Sequence, residues 1–184
     1  VTLPANRAGA TLRFWRYVRS NEAATSAKDS LQVILIGANG SETVVSTITT
    51  AVPRNQWVQV TVPLDLSSIS GSSVVLAFRG LNNSTYVSSF FVDDVSLAMP
   101  CGAGSQGVVE PAAQTAPTAA AASQPAEAAN VVCSNIARDP GFESGKLGVG
   151  WAAIANTSSA LYADASIYTV RPHTGSFGAW LGSS

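Results

Sequence analysis

Trp57-Val58-Gln59-Val60-Thr61-Val62-Pro63-Leu64 sets Val58, Val60, Val62 and Leu64 on one side of an extended chain. A period of two is the mark of a strand with one face buried. The same alternation points Leu12 and Phe14 one way, and Phe91, Val95 and Leu97 likewise. Turn chemistry separates these runs: Ala38-Asn39-Gly40-Ser41, Pro53-Arg54-Asn55, Ser70-Gly71-Ser72 and Asn82-Asn83-Ser84. No helical period runs through residues 1–100. Short strands at this spacing predict an all-β sandwich or jelly roll.

Composition narrows what such a fold does. Charged residues make up 11% of the 184 residues and the net charge is -1, against the roughly 25% charged residues usual in soluble proteins. The surface is therefore neutral and polar. It offers no electrostatic footprint for nucleic acid or anionic lipid and little opposition to self-association. No run is long enough to span a bilayer. Val1 opens directly on strand-like sequence, so a secretory signal is expected to have been removed or to lie upstream. Two cysteines and the sequons at Asn39, Asn82, Asn83 and Asn156 fit a secreted or cell-surface protein.

Residues 101–131 change abruptly to Ala, Pro, Gln, Ser and Thr. Pro111, Pro117 and Pro125 prevent a helix from nucleating between them. This is a disordered or extended linker, whose roughly 30 residues reach ~90 Å if extended as polyproline II. Residues 132–184 return to strand-like sequence but are too few for a core of their own.

That third segment resembles the opening of calcium-binding jelly-roll domains of the carbohydrate-binding-module type. The resemblance rests on Pro140-Gly141-Phe142-Glu143-Ser144-Gly145, Gly150-Trp151, His173-Thr174-Gly175-Ser176 and Ala179-Trp180-Leu181-Gly182. Residues 1–100 are similar to the remainder of such a domain, ending in Phe91-Val92-Asp93-Asp94-Val95-Ser96-Leu97. The order is reversed: the closing two thirds come first and the opening third last. The chain is then one period of a tandem polypeptide, a subunit whose tail completes the next subunit's head, or a circular permutant closing on itself. Short connections are the norm between adjacent termini, so a linker of this length favours a repeating polymer.

The resemblance implies a structural Ca²⁺ held by Glu143 with Asp93 or Asp94, and Asp139 as a weaker candidate. Calcium takes six to eight oxygens, so backbone carbonyls or water supplement the carboxylates. Adjacent Asp residues on a strand are otherwise disfavoured, and a cation relieves their repulsion. The bland alternative is one Asp facing solvent and the other capping a backbone group. Cys101 and Cys133 become neighbours when one jelly roll is completed, which implies a disulfide. Trp57 and Trp151 match core positions of the family.

Arg13, Trp15, Tyr17 and Arg19 lie opposite Leu12, Phe14 and Val18, and Trp180 extends their face. Such a surface suits stacking on a sugar ring or anchoring a protein interface, and the interface is favoured here. Enzyme function is not expected. His173 has no nucleophile motif near it, no His and Cys stand at metal-ligand spacing, and no acid and base pair suggests itself. The leading expectation is a non-catalytic structural repeat or subunit of an extracellular filament, assembled head to tail with copies of itself. The rival is a glycan-binding module of a secreted enzyme or adhesin, with a polysaccharide as partner.

Overall fold

A computed structural model describes residues 9–23, 25, 28–67, 69, 73–83, 86–100, 132–133, 135–153, 164–169 and 172–182. Among these residues the chain is all-β. Its strands are β1 (Ala10–Ser20), β2 (Ser30–Gly37), β3 (Glu42–Thr49), β4 (Trp57–Leu64), β5 (Val74–Leu81), β6 (Ser88–Pro100), β7 (Val132–Cys133), β8 (Asp164–Tyr168) and β9 (Gly178–Gly182). They form two antiparallel sheets. One runs β4-β1-β6-β9-β8 with β7 against the end of β6, and the other runs β3-β2-β5.

The alternation read from the sequence explains how the sheets face each other. Leu12, Phe14 and Val18 of β1, Val62 and Leu64 of β4, and Phe90, Val92, Val95 and Leu97 of β6 turn inward. They meet Leu31, Val33 and Leu35 of β2 and Val74 and Leu76 of β5. Each fully buried side chain of this kind contributes about 1.5–3 kcal/mol. The β2–β3 hairpin closes at Asn39-Gly40, where Gly40 takes a φ of 79°. Arg16 also points inward, with its guanidinium donating to the Pro53 carbonyl, and burial lowers its pKa.

Residues from beyond the linker belong to the same core. Phe142 and Leu181 are buried in it, and Ile136, Trp151, Ile167, Phe177 and Ala179 pack against it. β9 pairs with β6 over Ser89↔Gly182, Phe90↔Leu181, Phe91↔Trp180 and Val92↔Ala179. Asn135 clasps β6 from the other end, accepting from the Leu97 amide and donating to the Val95 carbonyl. At the end of β6, Met99 stands across from Cys133 and Pro100 from Val132. Cys101, Asn156 and the linker lie outside the described residues, and so does the side chain of Cys133.

Two side chains face differently from their expected placement. Trp15 pairs with Asp93 but Arg13 pairs with Ser96, so Asp94 and Val95 together oppose Phe14. This is a β-bulge, which inserts one residue and reverses the parity of the strand beyond it. Phe91 consequently lies on the outer face beside Tyr17, opposite in sense to Val95 and Leu97. Trp57 also stands on the outer face, against Tyr17, outside the core. Trp151 packs against the core, beside Phe142 and Phe78.

On the far side of the second sheet, Arg79 pairs with Glu42 at 2.7 Å. Arg79 is opposite Gln32 and Glu42 opposite Ile36, so the pair crosses β2 over Ile34. Ile34 is accordingly buried although it faces outward.

Candidate functional site at the β6 bulge

The bulge carries the paired aspartates. Asp94 takes a φ of 49°, a left-handed conformation that Asp tolerates better than most residues. Asp93 is fully buried. Its Oδ1 accepts from the Asp94 amide at 2.7 Å, and its Oδ2 accepts from the amides of His173 and Thr174 at 2.7 and 3.2 Å. Burial raises the Asp93 pKa and the neighbouring Asp94 charge pushes the same way, while the three backbone N–H groups oppose them.

Asp94 reaches the same segment through its own carboxylate. Its Oδ2 lies 2.7 Å from His173 Nδ1 and its Oδ1 accepts from the Thr174 hydroxyl at 2.6 Å. Glu143 continues the pattern, accepting from the amides of Ser176 and Phe177. Three carboxylates thus hold residues 173–177 against β6. Gly175 has a φ of 63°, and a Cβ on it would overlap the Glu143 carboxylate.

The 139–145 loop delivers Glu143. The Pro140 carbonyl accepts from the Val95 amide at 2.8 Å just past the bulge, and the Trp151 indole donates to the Asp139 carbonyl at 2.8 Å. Asp139 directs its own carboxylate to the Ser144 amide and hydroxyl, which shapes the loop. Glu143 and both aspartates meet around Gly141: a Cβ there would stand 3.5 Å from Glu143 Cγ, 3.7 Å from Asp94 Oδ1 and 3.9 Å from Asp93 Oδ1. The donors are carboxylate oxygens, the chemistry a hard cation takes. As arranged, Asp93 and Glu143 accept from backbone amides and Asp94 engages the His173 ring and the Thr174 hydroxyl, and among the described residues no three His, Cys, Asp or Glu side chains are grouped to hold one ion.

The sequence pattern gives His173 no more than a turn, yet it is the centre of the outer face. Its ring stacks on Trp15 with centroids 3.9 Å apart and 16° between planes, and it meets Trp57 edge-on at 5.5 Å. The signal available in the sequence is Gly175, whose neighbours must approach a carboxylate closely. Beside it, Trp57, Tyr17, Phe91 and Trp180 are in register across β4, β1, β6 and β9.

Arg13, Trp15, Tyr17 and Arg19 share the outer side of β1 as expected, and the register places Trp180 on the same side. The surface is nevertheless not an open platform. His173 occupies one face of Trp15, and Tyr17 and Phe91 are only 6% and 7% exposed. Of the sequons, Asn39 is exposed at its hairpin. Asn82 is buried with its amide on the Ser88 carbonyl, and the Asn83 amide donates to Glu22.

The class these features define is an all-β protein of two antiparallel sheets sharing one core. No family model matches the chain, and no curated protein or solved structure does either.

Proposed function

We propose that the chain is a non-catalytic structural unit of an extracellular filament or surface polymer, built from jelly rolls that neighbouring units complete for one another. One observation carries this reading. Pro100 and Val132 face each other in an antiparallel pair, a gap of about 5 Å, yet residues 101–131 connect them. A hairpin loop of two to five residues would serve closure within one chain. The additional length supports exchange of β8 and β9 between neighbours.

Linker statistics also set the conditions. A flexible linker of this length has an end-to-end distance of about 30 Å and an effective concentration in the millimolar range. Free chains at micromolar concentration therefore close on themselves. Exchange belongs to copies held at comparable density, as in a tandem polypeptide or a surface array. Strand exchange is heterologous and grows open chains when its rotation does not close.

Calcium enters the proposal through Glu143, Asp93 and Asp94, with backbone carbonyls or water completing the shell. Asp139 contributes less because Ser144 engages its carboxylate. An ion there would tie the segment beyond the linker to β6, so exchange and calcium would be coupled.

Sedimentation of the full chain from micromolar to millimolar concentration tests the reading. Monomer at low concentration is expected, with oligomers appearing in the millimolar range and persisting on dilution because exchanged strands must unzip to part. A chain that stays monomeric up to millimolar concentration contradicts it.

A further inference from the structure

We infer that a second hard cation binds where Glu22 and Asp29 meet at one end of the sandwich, a site separate from the β6 bulge. Glu22 follows the end of β1, Asp29 immediately precedes β2, Thr50 follows β3, and Asn82 and Asn83 follow β5. Strand ends from both sheets therefore gather at one corner. Ser88, whose hydroxyl donates to that of Ser20, marks this corner on β6. Asp93 lies about 16 Å further along that strand at ~3.3 Å per residue, so one ion cannot serve both places.

Asn83 joins the two acids. Its backbone N–H donates to Asp29 Oδ1 at 2.6 Å and its side-chain amide to Glu22 Oε1 at 2.8 Å. Glu22 Oε2 accepts from the amides of Lys28 and Asp29 and from the Thr50 hydroxyl. Glu22 is 4% exposed and Asp29 is 0% exposed. Burial pushes the Glu22 carboxyl up, but hydrogen bonds from Thr50, Asn83, Asp29 and Lys28 outweigh it and hold the group below the usual range.

Two observations point from this pair to a ligand. Asp29 Oδ2 is buried and has no hydrogen-bond partner among the described residues, which is a costly state for a carboxylate oxygen. The cation that reaches this corner, Arg54, bonds to the carbonyls of Ser20, Glu22 and Thr50. Among the described residues neither carboxylate has an ion-pair partner, and the nearby Arg54 guanidinium is spent on backbone carbonyls. Water would supply protons to Asp29 Oδ2 but no neutralising charge. A divalent cation supplies the charge, and donors that are all oxygen select a hard one. Calcium suits the corner better than magnesium because it accepts irregular shells, which backbone carbonyls and water would complete around Asp29 Oδ2 and Glu22 Oε1.

Calorimetric titration of the chelator-stripped full chain with CaCl₂ tests this. The Glu143→Gln chain is expected to take up one equivalent, and the Glu143→Gln, Asp29→Asn double variant none. A folded Glu143→Gln chain that binds no calcium overturns the proposal, as does an Asp29→Asn chain that binds as much as the wild type. A second readout is independent of whether Asp29→Asn folds: the Asn83 backbone amide of the Glu143→Gln chain should shift and saturate with calcium. An Asn83 amide unmoved at millimolar calcium contradicts the site. Failure at Asp29 leaves the bulge reading intact, and failure at Glu143 leaves this one intact.

Discussion

Replacing Phe142 with Ala separates a shared core from two independent pieces. Phe142 lies beyond the linker, is 2% exposed, and stacks obliquely on Trp151 with centroids 5.1 Å apart. Truncating a buried Phe costs about 3–5 kcal/mol from lost transfer energy plus the cavity left behind. The loop takes a φ of 58° at Phe142 and is tied to β6 through Pro140, so little collapse into the cavity is available and the upper half of that range applies. At ~2–4 °C per kcal/mol for a chain of this size, the melting temperature should fall by about 8–20 °C. Calorimetry should show one transition, shifted as a whole, and near-ultraviolet circular dichroism should lose the Trp15 and Trp57 signals at that same temperature. A variant in which residues 1–100 melt at the wild-type temperature, with only a minor early transition, would refute the shared core.

Gly175→Ala should destabilise the loop over β6, because its φ of 63° and the Glu143 carboxylate both exclude a methyl group; faster exchange of the Ser176 and Phe177 amides would report it. If calcium binds at Glu143, chelation should lower stability by about 2.7 kcal/mol relative to calcium at one hundred times its Kd, and a Glu143→Gln chain should lose that share of the response. Glu22 has a lowered pKa in the folded chain, so its stabilisation is full above the usual carboxylate range and is lost as pH falls through the folded value. Without calcium, Glu22→Gln should therefore flatten the acid side of the stability profile, and an unchanged acid limb counts against that assignment. Asp93, raised by burial, acts in the opposite sense and favours the folded chain as pH falls toward the usual range.

The alternation of β1 and β4 is legible because each has one wet face and one dry face, and the turns at Asn39-Gly40 and Pro53-Arg54-Asn55 carry their own chemistry. β6 is legible in the inward face of Val95 and Leu97, but the same period carried back across the bulge fails at Phe91. Its two aspartates announce something unusual but do not reveal a bulge, because reversed parity depends on pairing with Phe14 far away in the chain. Phe91 therefore falls on the face opposite to the one its spacing suggests. Trp57 is misplaced by the resemblance, which puts it in the core, whereas the alternation of Val58, Val60 and Val62 already sets it on the opposite face. Asp93, Asp94 and Glu143 stand out through their motifs, whereas His173 does not, because its stacking on Trp15 joins elements on either side of the linker. The Glu22 and Asp29 corner gives no local sign: its parts follow or precede four different strands.

Mixed-isotope cross-linking across the β6–β9 seam separates strand completion between neighbours from closure within one chain. Full chains labelled with ¹⁴N or ¹⁵N are unfolded, mixed, refolded and cross-linked, and peptides joining the Phe91 and Trp180 regions are weighed. Strand completion between neighbours predicts hybrid-mass links that are scarce at micromolar concentration, grow in the millimolar range and approach about half of all links, the limit for an equal mixture, in sedimented material. Links of unmixed mass alone at every concentration, including in the sediment, would contradict it.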